Sequence, residues 1–221
     1  MRRILSAGLV LSAITLSLAS SQAAYAQFSE TFSGTGAYVG PGSTQYALGA
    51  GGSGSSANGS YRIVTNAQQL NSNFISLTGA GSFLAFDGAT NTNPLLNVFS
   101  TSSLNLTAGQ TYIFSFLGAS AFSSNLPTLQ GSYVVNAVST TLGTLNTQAG
   151  VFTQFSQSFT AVTTGSYVFN IRDTNTSGDS GNDGAIDNVT VTVVAAPEPG
   201  SALLLVPGLL GLVGVVRRRR K

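Results

Sequence analysis

The feature that most constrains the fold of this chain is the alternation of apolar and polar side chains. The alternation runs through residues 112–117, 167–172 and 188–193, and the last two of these segments have one apolar and one polar side. A repeat of two places successive side chains on opposite faces of a half-buried β-strand. Between residues 27 and 194 no segment shows a convincing helical period. We therefore predict an all-β domain in which helix is nearly absent.

Short strand-like segments recur along the chain, and clusters of Gly, Asn, Ser and Thr separate them. Many short strands with polar turns between them are typical of two antiparallel sheets packed face to face. We predict a jelly-roll-like β-sandwich over residues 27–194. The predicted strands are Phe28–Phe32, Tyr61–Thr65, Phe74–Leu77, Ser82–Phe86, Leu95–Phe99, Tyr112–Leu117, Ser132–Val138, Phe152–Ala161, Tyr167–Arg172 and Asn188–Val193.

The N-terminal segment has the layout of a secretory signal peptide. Two arginines precede an apolar stretch, Ile4–Leu18, and small residues follow it up to Ala24 and Ala26. This order of a charged, an apolar and a small-x-small region predicts a signal peptide over residues 1–26, with cleavage after Ala26. The alternative is a membrane-anchoring or amphipathic N-terminal helix, for which the apolar stretch is short.

The C-terminal segment, residues 195–221, is a second apolar region with charged ends. Ala202–Val216 is continuously apolar, and as a helix it covers about 22 Å of a hydrocarbon core that is about 30 Å thick. A basic cluster follows, and the positive-inside rule places it in the cytoplasm. The cluster consists of Arg217, Arg218, Arg219, Arg220 and Lys221. The domain before this helix is then expected outside the inner membrane.

Pro197, Glu198 and Pro199, followed by the apolar segment and the basic cluster, resemble the PEP-CTERM sorting signal of Gram-negative bacteria. The resemblance implies an exosortase-type membrane enzyme that recognises the Pro-Glu-Pro segment and removes or exchanges the tail. The protein would then be held transiently at the inner membrane and finally lie at the cell surface or in the extracellular matrix. The alternative is an ordinary tail anchor.

The distribution of charge excludes one class of partner. The formal net charge of +2 arises from basic residues at the two ends, and between them only Arg62 and Arg172 are basic. The acidic residues of the same region are Glu30, Asp87, Asp173, Asp179, Asp183 and Asp187. An acidic domain with two arginines has no stripe of positive charge for phosphates, so nucleic acid is excluded.

Composition also argues against catalysis. The chain has no His and no Cys, which removes the commonest general base and the thiolate nucleophile. We therefore predict a non-enzymatic protein. The alternative is a hydrolase that uses two carboxylates, for which Asp183 and Asp187 are the residues to test.

Three segments together resemble the galactose-binding-like jelly-roll domains of exported bacterial proteins. They are the opening strand Phe28–Phe32, the strand from Thr111 to Phe116 and the closing segment Gly184–Val189. The resemblance implies a structural calcium ion between the first and last strands, held by Glu30 and Asp187 together with backbone carbonyls. The alternative is that Asp187 caps a turn while Glu30 is solvated.

A second calcium candidate lies in residues 173–184, where oxygen-bearing side chains and a glycine follow part of the spacing of an EF-hand loop. Asp173, Asn175 and Asp179 are the candidate ligands. Position twelve of the loop is Gly184 in place of the bidentate Glu, and no helices flank the loop. A polar hairpin loop is therefore the alternative that the sequence favours.

The sequence predicts a structural or adhesive role for the exported domain. The alternative is a carbohydrate-binding module for exopolysaccharide. Sugar binding usually needs exposed aromatic rings, but the chain has no Trp and most Phe and Tyr fall on apolar strand faces. Tyr38 and Tyr46, in Gly-rich surroundings, are the aromatic residues to test.

Overall fold

The computed structural model describes residues 25–51, 57–88, 96–175 and 182–194, which belong to one compact unit, Ala24–Ala196. Among these residues, no helix has the length and apolarity needed to cross a membrane. Ala24, Asp179 and the C-terminal residues singled out above lie outside the described ranges. Those C-terminal residues are Pro197, Glu198 and Pro199 and the basic cluster.

The described residues form twelve β-strands and one 3-10 turn, Ala67–Gln69, and they contain no α-helix. The strands are β1 (Tyr25–Glu30), β2 (Ala47–Leu48), β3 (Ser60–Asn66), β4 (Thr78–Asp87), β5 (Asn97–Ser100), β6 (Leu104–Leu106), β7 (Thr111–Ser120), β8 (Thr128–Val135), β9 (Val138–Asn146), β10 (Thr153–Thr160), β11 (Gly165–Asp173) and β12 (Gly184–Val194).

The strands form two sheets, which confirms the predicted all-β sandwich. Sheet 1 has the order β10-β7-β12-β4-β3-β2, and β1 also pairs with β12. Sheet 2 has the order β5-β11-β8-β9, and β6 also pairs with β11. The first strand is thus antiparallel to the last, with Phe28 opposite Val191. Tyr25 and Ala26, which cleavage after Ala26 would remove, are the first residues of β1.

The main core lies between the sheets and is rich in aromatic rings. Phe114 of sheet 1 meets Phe169 of sheet 2 at a centroid distance of 5.0 Å, and Phe116 stacks on Phe155 at 4.6 Å. Burying a side chain of this size contributes about 1.5–3 kcal/mol. Along β7 and β11, the apolar residues of the alternating sequence pattern point into this core. The residues between them point away from the core, to the outer faces of the two sheets.

A second apolar cluster covers part of the outer face of sheet 1. There the segment from residue 67 to residue 77 packs Leu70, Phe74 and Leu77 onto the sheet residues Val64 and Phe83. The predicted strand Phe74–Leu77 is therefore wrong, because the segment is not in a strand and Phe74 and Leu77 are buried by folding over the sheet. An Asn66 capping box begins the 3-10 turn that starts this segment.

The hairpin of β8 and β9 corrects another prediction. The predicted strand Ser132–Val138 runs through a two-residue turn, Asn136 and Ala137, whose φ angles are 50° and 62°. Two consecutive positive φ values are typical of the type I′ turns that join hairpin strands. Strand β9 was not predicted, because most of its side chains are exposed and leave no apolar repeat to detect.

Candidate functional site

The outer face of sheet 2 carries polar side chains from four neighbouring strands. In β11 the residues Tyr167, Phe169 and Ile171 face the core, so Asn170 and Arg172 face outward. In β8 the inward residues include Leu129 and Tyr133, and Gln130 and Ser132 face outward in the same way. The outward-facing polar residues of these strands therefore lie together on one surface of sheet 2.

Strand register aligns these side chains in two rows that cross the sheet. We call the two rows together the polar face. The first row consists of Asn97, Arg172, Gln130 and Thr144, and the second of Ser100, Asn170, Ser132 and Thr141. With neighbouring strands about 4.8 Å apart, each row extends roughly 14 Å across the sheet. The polar face contains amides, hydroxyls and one guanidinium, and it has no carboxylate and no aromatic ring.

One end of the polar face is ordered by side-chain hydrogen bonds. The Asn170 Oδ1 atom accepts a hydrogen bond from Ser100 Oγ at 2.7 Å and another from Asn97 Nδ2 at 3.2 Å. The same Asn97 amide donates to Ser100 Oγ at 3.2 Å. These bonds join β5 to β11 and fix the orientation of the Asn170 side chain.

The centre of the polar face has polar groups that find no protein partner. Arg172 Nε and Ser132 Oγ are buried, and neither has a hydrogen-bond partner. In the described part of the chain, no hydrogen bond or ion pair reaches the side chains of Arg172 or Gln130, both half-buried. A buried polar atom without a partner costs about 1–3 kcal/mol. Ser132 is fully buried, whereas Arg172 and Gln130 are partly exposed, so a polar ligand can reach the remaining polar groups of these two side chains.

The sequence contained part of this signal. The alternation in residues 167–172 separated an apolar from a polar side, and it placed Asn170 and Arg172 on the polar side. The sequence did not show which strands would lie beside β11. The polar face was therefore missed, because Ser100, Ser132 and Thr141 come from segments that are far apart in the chain.

Glu30 and Asp187, the predicted calcium pair, are both buried. Glu30 Oε1 accepts from the Phe32 backbone N–H at 2.7 Å, and Glu30 Oε2 accepts from the Tyr38 hydroxyl at 2.7 Å. Asp187 Oδ1 accepts from the Asn188 N–H at 2.7 Å, where the register of β12 shifts and Asn188 has φ 50°. Burial raises the pKa of Asp187, and the negative charge of Glu30 raises it further.

This pair fits a calcium site only in part. Calcium takes about six to eight oxygen ligands, and the described residues contain no group of three or more acidic side chains placed to hold a metal. The two carboxylates of Glu30 and Asp187 would need backbone carbonyls and water to complete the shell. Their mutual repulsion is what a divalent cation would relieve.

Asp173 and Asn175 of the second calcium candidate lie at one end of the sandwich. Asp173 Oδ1 accepts from the backbone N–H groups of Thr128 at 3.1 Å and Asn175 at 2.9 Å. The Asn175 side chain donates to the Leu126 carbonyl at 2.8 Å. Their hydrogen bonds thus secure the loop that follows β11 to the segment before β8.

Asp183 belongs to the same end of the sandwich. Its Oδ1 accepts from the Gly88 N–H at 2.9 Å, and its carboxyl group also hydrogen-bonds to that of Asp87. Burial raises the pKa of Asp183 to about 7, and the charge of Asp87 adds to the rise. Burial likewise raises the pKa of Asp173 to about 7. Asp187 has a different neighbour, Glu30, so the two carboxylates of the hydrolase alternative belong to different clusters.

The aromatic residues expected to stack on sugars do not form an open platform. Tyr46, one of the two residues to test, is 5% exposed and packs edge-on against Phe86, so its ring has no open face for a sugar. Tyr38 is half-buried, its ring contacts Phe32 and Phe99, and its hydroxyl donates to Glu30. Tyr38 therefore stabilises the fold around β1 and β5, and Tyr46 packs on β4.

No protein-family model matches the chain, and no curated protein matches it. Among solved structures, the CBM22-1 xylan-binding domain of Xyn10C from Paenibacillus barcinonensis matches with a TM-score of 0.51 at 12% identity. That match covers 80% of this chain and 99% of that domain. The CBM22-1-CBM22-2 tandem domain of the same protein matches with a TM-score of 0.51 at 14% identity, over 82% of this chain and 50% of that one. This similarity shows that the chain shares their β-sandwich fold.

Proposed function

We propose that this domain is a non-catalytic carbohydrate-binding module and that the polar face is its binding surface. The observation that carries the proposal is the pair of rows across sheet 2, in which the half-buried Arg172 and Gln130 have polar groups without protein partners. The fold, shared with a xylan-binding domain, supports the proposal. Of the two roles inferred from the sequence, these findings favour carbohydrate binding over a purely structural one.

The chemistry of the polar face suits a chain of sugar rings. Sugar hydroxyls both donate and accept hydrogen bonds. The side-chain amide of Gln130 and the hydroxyls of Thr141 and Thr144 can also act as donors and as acceptors. A row that extends roughly 14 Å can contact several rings of a polymer. Because no aromatic ring lies on the polar face, hydrogen bonds would supply most of the affinity, and each contributes about 0.5–1.5 kcal/mol.

A matched pair of glutamines tests the proposal. Gln130 lies on the polar face, whereas Gln154 is exposed on the outer side of sheet 1, opposite Leu117 of β7. We expect soluble polysaccharides to retard the domain in affinity electrophoresis. Gln130→Ala should weaken binding about fivefold, the loss of one hydrogen bond. Gln154→Ala should leave binding unchanged.

Two results would count against this assignment. If Gln154→Ala weakens binding and Gln130→Ala does not, the ligand lies on the outer face of sheet 1. That face has a shallow polar depression lined by Ser115, Gln154, Asn188 and Thr190. If no polysaccharide of a broad panel retards the domain, carbohydrate binding is rejected.

We also propose, from the sequence alone, that the protein is exported and then processed by an exosortase-type enzyme at Pro197, Glu198 and Pro199. An adhesive role in the extracellular matrix would follow if the domain binds matrix polysaccharide. Intact-mass analysis of protein from surface and medium fractions tests the processing. We expect wild type and a Ser201→Ala control to end near residues 197–199, and Glu198→Ala to retain residues 217–221. Retention of these residues by all three proteins would indicate an ordinary anchor.

A further inference from the structure

We infer that the polar face selects carboxylate-bearing polysaccharides, with Arg172 as the residue that binds the carboxylate of a uronic acid. This inference rests on the proposed carbohydrate-binding function and names its ligand class. It starts from the charge of Arg172, because a guanidinium stays protonated at any physiological pH and needs a counter-charge or water.

Arg172 has no counter-charge in the described part of the protein. Neither row of the polar face contains a carboxylate, and no described acidic residue forms an ion pair with the guanidinium. The other arginine of the domain is used differently. Arg62 Nη1 donates to the backbone carbonyls of Gly49 at 2.9 Å and Ala50 at 3.1 Å, and so it holds a loop in place. Arg172 forms no such bond with the described residues, and because its Nε is buried, its two Nη groups are the donors that a ligand can reach.

The neighbours of Arg172 determine what kind of anion fits. Asn97 and Gln130 flank it in the first row, and Asn170 and Ser132 stand beside them in the second. A planar guanidinium can donate two parallel hydrogen bonds to one carboxylate. The half-buried amides of Asn97 and Gln130 and the exposed hydroxyls at the β9 end of the rows then contact the hydroxyl groups of the same and adjacent rings. A lone cation within such a neutral, polar surface fits an acidic sugar better than a polyphosphate, which needs several cations.

The acidic residues of the domain do not oppose this ligand at the surface. Glu30, Asp87, Asp173, Asp183 and Asp187 are all buried, with 9% exposure or less. All of them lie outside the two rows. Asp173 directly follows Arg172 in β11, so its side chain lies on the opposite side of the strand, where it accepts from the Thr128 N–H. The charge on the polar face itself is therefore that of Arg172.

The absence of aromatic rings from the polar face strengthens the inference. Without ring stacking, neutral hydrogen bonds are the alternative source of affinity, and hydrogen bonds to charged groups are about twice as strong as neutral ones. A carboxylate on Arg172 would therefore be the largest single contribution that this surface can make. Selectivity for acidic polymers follows from that difference.

The test compares each acidic polymer with its own carboxyl-reduced form. Alginate, polygalacturonate and glucuronoxylan serve as probes, and binding is measured by affinity electrophoresis and titration calorimetry on the intact domain. We expect at least one acidic form to bind about tenfold or more tightly than its reduced form, and higher salt to remove the difference. Arg172→Gln should lose about tenfold to a hundredfold in affinity for the acidic form, but at most about fivefold, the loss of one neutral hydrogen bond, for the reduced form.

Two controls make the result specific. Arg62→Gln removes the same charge elsewhere and should keep the preference for the acidic form. Arg172→Lys keeps the charge but not the planar fork, and it should recover part of the lost affinity. Retained binding of the reduced polymer by Arg172→Gln shows that the variant is folded.

Three results would overturn the inference. Equal binding of acidic and reduced polymers refutes the selection of uronic acids while leaving carbohydrate binding intact. An equal loss in Arg62→Gln and Arg172→Gln would show that net charge matters and the position of Arg172 does not. Failure of every polymer, in either form, refutes this inference together with the proposed function.

Discussion

The outer faces of the two sheets are used in opposite ways. On sheet 1, residues 67–77 cover a group of apolar side chains, among them Val64, Phe83 and Ala85. On sheet 2 the polar face combines exposed and half-buried polar side chains with two buried polar atoms, Arg172 Nε and Ser132 Oγ, that have no partner among the described residues. One face therefore adds to stability by burying apolar area, and the other bears a cost in polar atoms without partners. The difference teaches that stability and ligand binding can be altered separately in this domain.

The largest expected effect is on the covered face. Phe83 is fully buried in the second apolar cluster and contacts Phe152 with ring centroids 5.4 Å apart. Phe83→Ala should lower the free energy of unfolding by about 3–5 kcal/mol, measured by urea denaturation. At temperatures where the variant is folded, its affinity for polysaccharide should equal that of wild type. A loss of affinity in the folded variant would show that the two faces are coupled.

The next effect concerns pH and arises at the end of the sandwich, where Asp87 and Asp183 meet. The pKa of Asp183 is about 7 in the folded protein and near 4 when unfolded, so the folded state keeps a proton that the unfolded state releases between these values. The unfolding free energy should therefore fall as the pH rises from about 4 to about 7, then level off. The fall should be roughly 1–4 kcal/mol, since one pKa unit corresponds to about 1.4 kcal/mol.

Asp183→Asn provides the control for this pH effect. The amide oxygen can still accept the Gly88 N–H, but it does not titrate. The variant should therefore lose the part of the pH dependence that Asp183 contributes to the denaturation curves and keep the part from Asp173, whose pKa is also raised to about 7. Binding to a neutral polysaccharide should vary little with pH over the same range, because the polar face has no carboxylate. An unchanged pH profile in the variant would refute the assignment to Asp183.

Calcium should have a smaller effect, and it should act on the fold alone. If Glu30 and Asp187 hold the ion, millimolar Ca²⁺ should stabilise wild type by about 1–3 kcal/mol, as expected for a ligand well above its Kd. Glu30→Gln keeps an acceptor for the Phe32 N–H and should abolish the shift in Tm. Mg²⁺ serves as the control cation. An equal Ca²⁺ shift in Glu30→Gln would place the ion elsewhere.

The smallest effect on stability is expected at Ser132. Its hydroxyl is buried without a partner, so Ser132→Ala should leave the free energy of unfolding unchanged or raise it by up to about 1 kcal/mol. The same change should leave polysaccharide binding unchanged, because the Ser132 side chain is fully buried. Thr141→Ala, in the exposed part of the same row, should weaken binding severalfold, and Thr192→Ala, on β12 of sheet 1, is its control. A clear loss of stability in Ser132→Ala would mean that the hydroxyl has a structural role.

The all-β fold was largely predictable from the sequence. The alternation of apolar and polar side chains that marks a strand involves only residues that are adjacent in the chain, so it can be read from the sequence directly. Tyr167, Phe169 and Ile171 were placed correctly on one face by that rule. Phe74 and Leu77 were wrongly assigned to a strand. They lie in a segment that packs on the sheet, and in a sequence the buried apolar residues of such a segment look the same as those of a strand. The polar face was not predictable, since it depends on the register of β5, β8, β9 and β11. Local alternation cannot fix pairings between distant segments.

The position of β12 has a mechanical consequence. This strand ends the described chain, yet it lies inside sheet 1, with β7 on one side and β4 and β1 on the other. A pulling force applied beyond Val194 would act first on β12, which is hydrogen-bonded to neighbouring strands along both edges. The backbone hydrogen bonds would then share the load in shear, whereas an edge strand such as β10 can be peeled away bond by bond. A tether attached after β12 would thus pull on the strand that is hardest to extract.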